Sequence, residues 1–350
     1  MFSAKTAATE YWTAALRHGM IGIHFIGGSF SMQKASKRIL LASVSAGAAA
    51  AALTKYFIDV AFKSGRSSSS KRITGRYASD EGRRYAEWIR QGEAWIVSQN
   101  MTEVDITGRD GVRLHGHWLP AENAERTLLL MHGYRSSWLH DFSVGAEYYH
   151  RMGCNLLFAE QRGHGESGGK YIGYGVLERW DCLAWADYLI RNSSPDLPIY
   201  AGGISMGAST VLMAAGAGYP DRVRGVIADC GFTSPGAILE RVAGDMLHIP
   251  CHPLVKAVGT VCRAITGFGL YDFSTVDAMR TNKTPVLFIH GEEDRFVPLS
   301  MTMDNYHACT AEKQLLVVPG AGHGTSLLAD SVSYLETLRK FFEKHDGEAK

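Results

Sequence analysis

The segment Ile-Tyr-Ala-Gly-Gly-Ile-Ser-Met-Gly-Ala-Ser-Thr, residues 199–210, determines the fold that the rest of the chain must fit. Its first six residues form a continuous run of apolar and small residues, which is typical of a strand buried on both faces. The small residues that follow favour a helix. Between the two, Gly203-Ile204-Ser205-Met206-Gly207 matches G-x-S-x-G, a sharp turn that raises a serine above the end of a parallel sheet. The motif alone is weak, so the flanking strand and helix carry the interpretation.

The same pattern of strand followed by helix continues after about residue 100, where short apolar runs alternate with helix-length segments such as Val176–Ile190. Val104–Thr107 and Val112–Leu119 predict a hairpin around Arg109-Asp110-Gly111. The remaining predicted strands are Thr127–Met131, Asn155–Ala159, Ile199–Ile204, Val226–Asp229, Val286–His290 and Leu315–Val318. This alternation predicts an α/β fold, a mostly parallel eight-stranded sheet with helices on both faces. Reactive residues are then expected just beyond the carboxyl ends of the strands.

Two of those strand ends supply partners for Ser205. Asp294 follows the strand Val286–His290, and His323 follows the last strand on a glycine-rich loop. The order serine, aspartate, histidine is the one that a strand-to-helix serine turn requires. We therefore predict Ser205 as nucleophile, His323 as general base and Asp294 as the group that orients the histidine. Asp229, at the end of another strand, is an alternative orienting carboxylate.

The loop after the strand Thr127–Met131 predicts an oxyanion hole. This strand runs into His132-Gly133-Tyr134-Arg135. The geometry requires one backbone N–H directly after the nucleophile and a second from this loop. We assign these donors to the amides of Met206 and Tyr134. We also expect the Tyr134 ring and Arg135 to line the substrate pocket.

Five motifs in this order resemble those of the α/β-hydrolase family. They are His132-Gly133, Arg162-Gly163-His164-Gly165-Glu166-Ser167, Gly203-Ile204-Ser205-Met206-Gly207, Gly291-Glu292-Glu293-Asp294 with Val297-Pro298, and Gly320-Ala321-Gly322-His323. The resemblance covers about residues 95–345 and is greatest to serine aminopeptidase-like and carboxylesterase-like bacterial members with an N-terminal membrane segment. One departure is Glu160, where the family often has aspartate; we expect this position to support the loop.

The resemblance implies a serine hydrolase that cleaves carboxylic esters through an acyl-enzyme intermediate, with a small-molecule acyl ester or amide as substrate. An aminopeptidase or an acyl-thioesterase on the same residues remains an alternative, because the fold serves many acyl groups. Two further alternatives are a non-catalytic binding protein of the same fold and a membrane-tethered adaptor.

Composition excludes several other classes. Thirty-six basic residues against 35 acidic ones give a net charge of +1, so no field gathers nucleic acid. The six cysteines form no C-x-x-C pair, and no metal-ligand spacing is present, so we expect neither metal nor cofactor. The segment from Gly165 to Lys170 is similar to a phosphate loop, but His164 and Tyr171 stand where glycine and serine or threonine are required.

The first 75 residues differ from the rest of the chain. We predict an N-terminal hydrophobic segment with a Ser/Arg-rich linker at residues 1–75 and a hydrolase domain at residues 76–350. Ile39–Thr54 has no charge and follows three basic residues, but it is shorter than a spanning helix requires. The extended stretch 39–62 is long enough only if Lys55 and Asp59 pair with each other or lie near the interface. Residues 32–62 therefore predict a membrane-anchored or exported protein. The alternative is a helix packed on the domain of a cytoplasmic protein.

Two more segments carry predictions. Residues 80–97 place aromatic and apolar side chains among charges, which predicts an amphipathic helix leading into the domain. About residues 233–283 separate two strands by more than a normal crossover, which predicts a small helical lid insertion. Its apolar composition favours an uncharged, fairly hydrophobic ester. The alternative is extra core helices that cover the sheet edge.

Overall fold

An eight-stranded sheet forms the centre of the fold, in the order β1-β2-β4-β3-β5-β6-β7-β8. The computed structural model describes residues 52, 54–64, 80–246 and 252–347. The strands are β1 (Thr102–Thr107), β2 (Arg113–Leu119), β3 (Arg126–Met131), β4 (Cys154–Ala159), β5 (Ile199–Ile204), β6 (Val223–Asp229), β7 (Val286–Gly291) and β8 (Lys313–Val318). β2 is antiparallel to both of its neighbours, and the other pairs are parallel.

This sheet confirms the predicted fold class. The expected hairpin is present, with Thr102 opposite Trp118 and Thr107 opposite Arg113. Every residue of β3 and β4 is buried, as a continuous apolar run in a sheet covered on both faces requires.

Helices cover both faces of the sheet. They are α1 (Asp80–Val97), α2 (Trp138–Asp141), α3 (Ser143–Arg151), α4 (Glu178–Asn192), α5 (Met206–Ala217), α6 (Pro235–Arg241), α7 (His252–Thr266), α8 (Thr275–Thr281), α9 (Leu299–Ala308), α10 (Ser326–Ala329) and α11 (Ser331–Asp346). One core cluster contains Trp185 of α4 and Leu212 of α5, and a second contains Ile96 of α1 and Phe341 of α11. The amphipathic helix predicted at residues 80–97 coincides with α1.

The predicted insertion at about residues 233–283 is mainly helical where it is described, with an irregular segment at residues 267–274. It contains α6, a π-helix at Val242–Met246, α7 and α8. Phe268 and Leu270, which follow α7, are buried against a third apolar cluster of the domain. Its role as a lid stays a prediction.

The N-terminal segment is described only in part, since residues 1–51, which contain most of the predicted membrane segment, lie outside the described residues. Among the residues that are described, no helix is both long and apolar enough to cross a bilayer. Tyr56–Lys350 forms a compact unit. Within this unit, residues 56–62 are helical, and Ile58 and Phe62 are fully buried in protein. The described part of residues 39–62 therefore does not support a membrane-spanning segment.

Candidate active site

Ser205 lies on the turn between β5 and α5 in a strained backbone conformation. Its φ is 57° and its ψ is −115°, and such a conformation costs a non-glycine residue about 1–3 kcal/mol. Glycine permits the tight turn, because a Cβ at Gly203 would lie 2.3 Å from the carbonyl carbon of Gly207. The Ser205 side chain does not cap α5. Its hydroxyl is therefore available to groups above the sheet.

The hydroxyl meets side chains that follow two other strands. His323, on the loop after β8, has Nε2 2.9 Å from Ser205 Oγ and Nδ1 2.7 Å from Asp294 Oδ2. Asp294 follows β7. An Nδ1–H that donates to the carboxylate leaves Nε2 free to accept the serine proton. The structure thus brings Ser205, His323 and Asp294 into one hydrogen-bonded chain.

Asp294 is buried, yet its surroundings favour the charged carboxylate. Burial acts to raise its pKa, but hydrogen bonds from His290 and His323 outweigh burial and hold the pKa of Asp294 well below its usual range. Asp294 Oδ1 also accepts from the amides of Phe296 at 2.9 Å and Val297 at 2.8 Å. No motif marks His290, and its place near the end of β7 is the only sequence signal for it.

Asp229, the alternative orienting carboxylate, is hydrogen-bonded elsewhere. Its Oδ1 accepts from Ser326 Oγ at 3.1 Å, and its backbone carbonyl accepts from the Ser205 amide at 2.8 Å. Burial raises the pKa of Asp229 to about 6. In this geometry Asp229 supports the serine turn, and Asp294 holds the imidazole of His323.

The loop after β3 passes directly beside the serine turn. A Cβ at Gly133 would lie 3.5 Å from Ser205 Cβ. The next residue, Tyr134, has an amide that donates to no acceptor within the described part of the chain. The Met206 amide is the first of α5 and has no intrahelical acceptor. Among the described residues, these two N–H groups, which are those assigned from the sequence, have no acceptor, and they lie beside the serine.

The amides on either side of Tyr134 are occupied. The Gly133 amide donates to Asp141 Oδ2 at 2.6 Å, and the Arg135 amide donates to His164 Nε2 at 3.0 Å. Arg135 has a φ of 50°, a left-handed conformation that is uncommon outside glycine. The loop is thus fixed on both sides of Tyr134, in a conformation that leaves the Tyr134 amide available to a substrate oxygen.

Two buried histidines of the motifs brace this loop. His132 Nδ1 lies 2.8 Å from the Gly133 carbonyl, and its Nε2 accepts from the Gln161 amide at 3.1 Å. Burial lowers the pKa of His132, and burial lowers the pKa of His164 to about 3. Both rings are therefore neutral near pH 7, as acceptors of backbone hydrogen bonds must be.

The loop that carries His164 is held by charged side chains beneath it. Glu160 lies 3.2 Å from His117 Nε2 and accepts from Trp138 Nε1 at 3.1 Å, and it also accepts from the Glu166 amide. Glutamate at this position thus contacts its own loop, strand β2 and helix α2, in keeping with the support role expected for it.

The side chains of Tyr134 and Arg135 point away from the predicted pocket. The Tyr134 hydroxyl donates to the Ala61 carbonyl at 2.7 Å, and the Arg135 guanidinium donates to the Val60 carbonyl at 2.7 Å. The expectation that these side chains line the substrate pocket is not met, because the N-terminal segment supplies acceptors for both.

A cavity of about 290 Å³ opens beside Ser205 and His323. Besides residues next to Ser205 and His323, its lining includes residues of α1, of 140–149 and of α10, and no described residue of the insertion at 233–283 lines it. Apolar side chains such as Ile89 and Leu327 share its wall with Asp229. A cavity at the lower end of the usual range accommodates a small substrate group.

Two groups of side chains within the described residues have metal-ligand types close together. One is Cys230, Asp294 and His323, and the other is Glu103, His115 and His117. In the first group both imidazole nitrogens are engaged, and burial raises the pKa of the Cys230 thiol, which opposes the thiolate form that binds metals. The first group therefore fits proton transfer better than metal binding.

The sheet, the strained serine turn and the serine–histidine–aspartate hydrogen bonds define an α/β-hydrolase of the serine type. Comparison with protein families gives a narrower assignment. The chain belongs to the prolyl oligopeptidase family, whose model matches residues 140–348.

Relatives and solved structures agree with this class. The uncharacterized protein YqkD of Bacillus subtilis is 27% identical over 67% of this chain and 76% of its own length. The monoacylglycerol lipase of Mycolicibacterium smegmatis is 24% identical over 65% of this chain and 92% of its own length. The Pyrococcus furiosus esterase Pf2001 superposes with a TM-score of 0.58 at 22% identity, covering 72% of this chain and 94% of that one. At that identity the superposition shows the fold alone.

Proposed function

We propose that this protein hydrolyses small carboxylic esters through an acyl-enzyme intermediate on Ser205. The observation that carries the proposal is the imidazole of His323, which lies 2.9 Å from Ser205 Oγ and 2.7 Å from Asp294 Oδ2. A nucleophile within hydrogen-bond reach of a base, which is itself oriented by a third group, is the arrangement that covalent acyl transfer needs.

Each residue has one role in the proposed reaction. His323 Nε2 takes the Ser205 proton as Oγ attacks the ester carbonyl, and the imidazolium then donates that proton to the departing alkoxide. Asp294 stabilises the imidazolium without taking its proton. The amides of Tyr134 and Met206 donate to the oxyanion. A water deprotonated by His323 then attacks the acyl group and releases the carboxylic acid, which restores Ser205.

The cavity supports an ester of modest size. At about 290 Å³ it is small, and much of its wall is apolar. An esterase and a monoacylglycerol lipase, by their names, are among the similar proteins. These observations favour an uncharged, short-chain acyl ester over a long polar substrate.

Replacement of the nucleophile tests the proposal. We expect Ser205→Ala to lower kcat/KM for p-nitrophenyl acetate and butyrate about 10³-fold or more, because the covalent route is lost. The matched control is Ser194→Ala, an exposed serine outside the site, which should keep the wild-type rate. Intact-protein mass spectrometry after treatment with a fluorophosphonate should show one adduct, absent from the Ser205 variant. Equal ester rates in wild type and Ser205→Ala would refute the nucleophile assignment.

Hydrolysis of aminoacyl amides is a second candidate. The family match includes peptidases by its description, and the carboxyl of Asp229 lines the cavity, where it could accept a hydrogen bond from a substrate amine. A panel of p-nitrophenyl esters, acyl thioesters and aminoacyl p-nitroanilides separates the alternatives by kcat/KM. We expect the esters to rank first; a higher value for the anilides would establish the peptidase alternative.

A further inference from the structure

Residues 56–64, which we call the N-terminal strap, form an amphipathic segment on the hydrolase domain. Residues 56–62 are helical. Ile58 and Phe62, one turn apart, are fully buried, whereas Tyr56 and Val60 on the other face are 62% and 49% exposed. Buried spacing of this kind is the signature of a helix packed against a core. The strap is therefore an integral part of the domain surface around it.

The end of the strap helix bonds to the loop that carries the oxyanion-hole donor. The Tyr134 hydroxyl donates to the Ala61 carbonyl at 2.7 Å. The Arg135 guanidinium donates to the carbonyls of Val60 at 2.7 Å and Lys63 at 3.3 Å. The last carbonyls of a helix lack intrahelical donors and favour a cation nearby. The strap and the loop thus satisfy each other's polar groups.

The strap also holds the neighbouring loop, which contains His164. The Ile172 amide donates to the Phe62 carbonyl at 2.6 Å, and the Ser64 amide donates to the Lys170 carbonyl at 2.9 Å. Ser64 Oγ donates to the Gly163 carbonyl at 2.9 Å. His164 in turn accepts from the Arg135 amide. Both loops that fix the Tyr134 amide are therefore bonded to the strap.

Aromatic packing extends these contacts to the insertion. The Phe62 ring lies 5.2 Å from the Tyr174 ring and 5.7 Å from the Phe268 ring, between ring centroids. Tyr174 contacts the Tyr134 ring at 4.9 Å, and its hydroxyl donates to the Ala61 carbonyl at 3.1 Å. Phe62 thus lies between the oxyanion-hole loop and the segment after α7.

We propose that the N-terminal strap positions the oxyanion hole, by bonding the side chains of Tyr134 and Arg135 so that the Tyr134 amide points at the developing oxyanion. Arg135 is left-handed, and such conformations persist only where the surroundings impose them. Oxyanion donors act only at short range and in a fixed direction. The inference rests on the proposed esterase function and adds a positioning element outside the segment that carries the family motifs.

Side-chain variants in the full-length chain test the strap. Tyr134→Phe removes the bond to Ala61 and keeps the ring and the amide, Arg135→Ala removes two bonds, and Phe62→Ala loosens the packing. We expect the Tyr134→Phe, Arg135→Ala double variant to lower kcat for p-nitrophenyl acetate about 10- to 100-fold, with KM changed less than threefold. A misplaced donor reduces the stabilisation of the transition state more than that of the bound substrate. Arg135→Lys should recover part of kcat. The matched control is Tyr56→Ala, which trims an exposed strap side chain outside these bonds and should keep the wild-type kcat.

A transition-state analogue separates positioning from general loosening of the fold. A trifluoromethyl ketone forms a tetrahedral adduct whose oxyanion occupies the hole, so its Ki should rise by the same factor as kcat/KM falls. The rate of fluorophosphonate labelling of Ser205 should fall in parallel, with a thermal midpoint within a few degrees of wild type. Unchanged Ki and labelling rate in the double variant would overturn the inference. If the wild-type protein is labelled but cleaves no ester, the esterase function is refuted instead. The labelling rates of wild type and the double variant would then test whether the strap positions the oxyanion hole.

Discussion

Asp294 and Asp229 are both buried beside His323, yet their surroundings shift their pKa values in opposite directions. Asp294 Oδ1 accepts two backbone amides, and Oδ2 lies near two imidazoles, so the pKa of Asp294 is held low despite burial. In the described part of the chain, the Asp229 carboxyl accepts from one side-chain donor, the Ser326 hydroxyl, and burial raises its pKa to about 6. Only the first aspartate is suited to stabilising an imidazolium.

This difference predicts unequal effects of the two isosteric replacements. Asp294→Asn should lower kcat for p-nitrophenyl acetate about 10³- to 10⁴-fold, because asparagine cannot enforce the Nδ1–H tautomer of the histidine. Asp229→Asn should lower kcat less than tenfold at pH 7.5, because no hydrogen bond joins its side chain to His323. Steady-state kinetics of the pair make the comparison, each variant serving as the other's control. Similar losses in both would mean that the two carboxylates share the orienting role.

For individual residues, the sequence predicts which strand ends carry candidate catalytic side chains, but not which of their atoms form hydrogen bonds. Ser205, Asp294 and His323 each follow an apolar run that is recognisable as a strand, so sheet topology alone collects them at one edge. Asp229 satisfies the same criterion. The choice depends on how the loop after β7 turns back on itself. Hydrogen bonds from the amides of Phe296 and Val297 to Asp294 set that turn, and the motif that includes Val297 does not by itself reveal them.

Strand β3 and helix α5 approach each other so closely that a single glycine determines whether they can pack. A Cβ at Gly207 would lie 1.8 Å from the Met131 carbonyl oxygen and 2.5 Å from its carbonyl carbon. Both atoms belong to the backbone of the central sheet and cannot move aside. The contact brings the first turn of α5, with the Met206 amide, against the loop that carries Tyr134.

Gly207→Ala should therefore abolish folding or lower the free energy of unfolding by about 3 kcal/mol or more, as overpacking against backbone does. Gly259→Ala, in helix α7, is the control: a Cβ there meets only Leu270 at 3.5 Å, an ordinary contact. It should leave stability unchanged or raise it by up to about 1 kcal/mol. Urea unfolding followed by circular dichroism measures both. A Gly207→Ala protein as stable as wild type would show that β3 and α5 are not in this contact.

Strand positions agree well with the sequence, and the exceptions have physical causes. The hairpin and the apolar runs each became a strand, with ends shifted by a few residues. β6 begins at Val223, three residues before the predicted start at Val226. The sequence pattern misses these residues because Arg224 and Gly225 interrupt the apolar run. The cavity wall was not predicted, since α1 and residues 140–149 carry no motif and reach Ser205 only through tertiary packing.

For the whole molecule, the buried carboxyl of Asp229 links stability to pH. Its pKa is about 6 in the folded protein, against about 3.9 in an unfolded chain. Between these values the native state holds the proton more tightly, so this group's contribution to stability is largest below about pH 4 and is lost as pH rises through about 6.

Asp229→Asn should remove this dependence, because asparagine is neutral throughout. Relative to wild type, the variant should gain about 2 kcal/mol in free energy of unfolding between pH 4.5 and pH 7.5. Urea titrations at the two pH values, with the exposed Asp187→Asn as control, measure the difference. If the wild-type and Asp229→Asn stabilities change in parallel, burial does not perturb this carboxyl.

The largest difference from the sequence concerns the N-terminal strap. The apolar composition of residues 56–62 fitted the end of a membrane span, and in the structure Ile58 and Phe62 are buried in protein. A short apolar segment cannot by itself distinguish lipid from a protein interior, because both exclude water equally well. The hydroxyl and the ring that contact the strap come from residues more than 70 positions away, Tyr134 and Phe268.

That separation along the chain has a consequence for synthesis. A ribosome delivers Phe62 before Phe268, whose ring it contacts in the finished domain. At about 5–20 residues per second, the roughly 200 intervening residues take about 10–40 s to make. Throughout that interval the apolar face of the nascent strap lacks part of its final covering. Cellular factors that recognise hydrophobic stretches on emerging chains thus meet this segment before the fold conceals it.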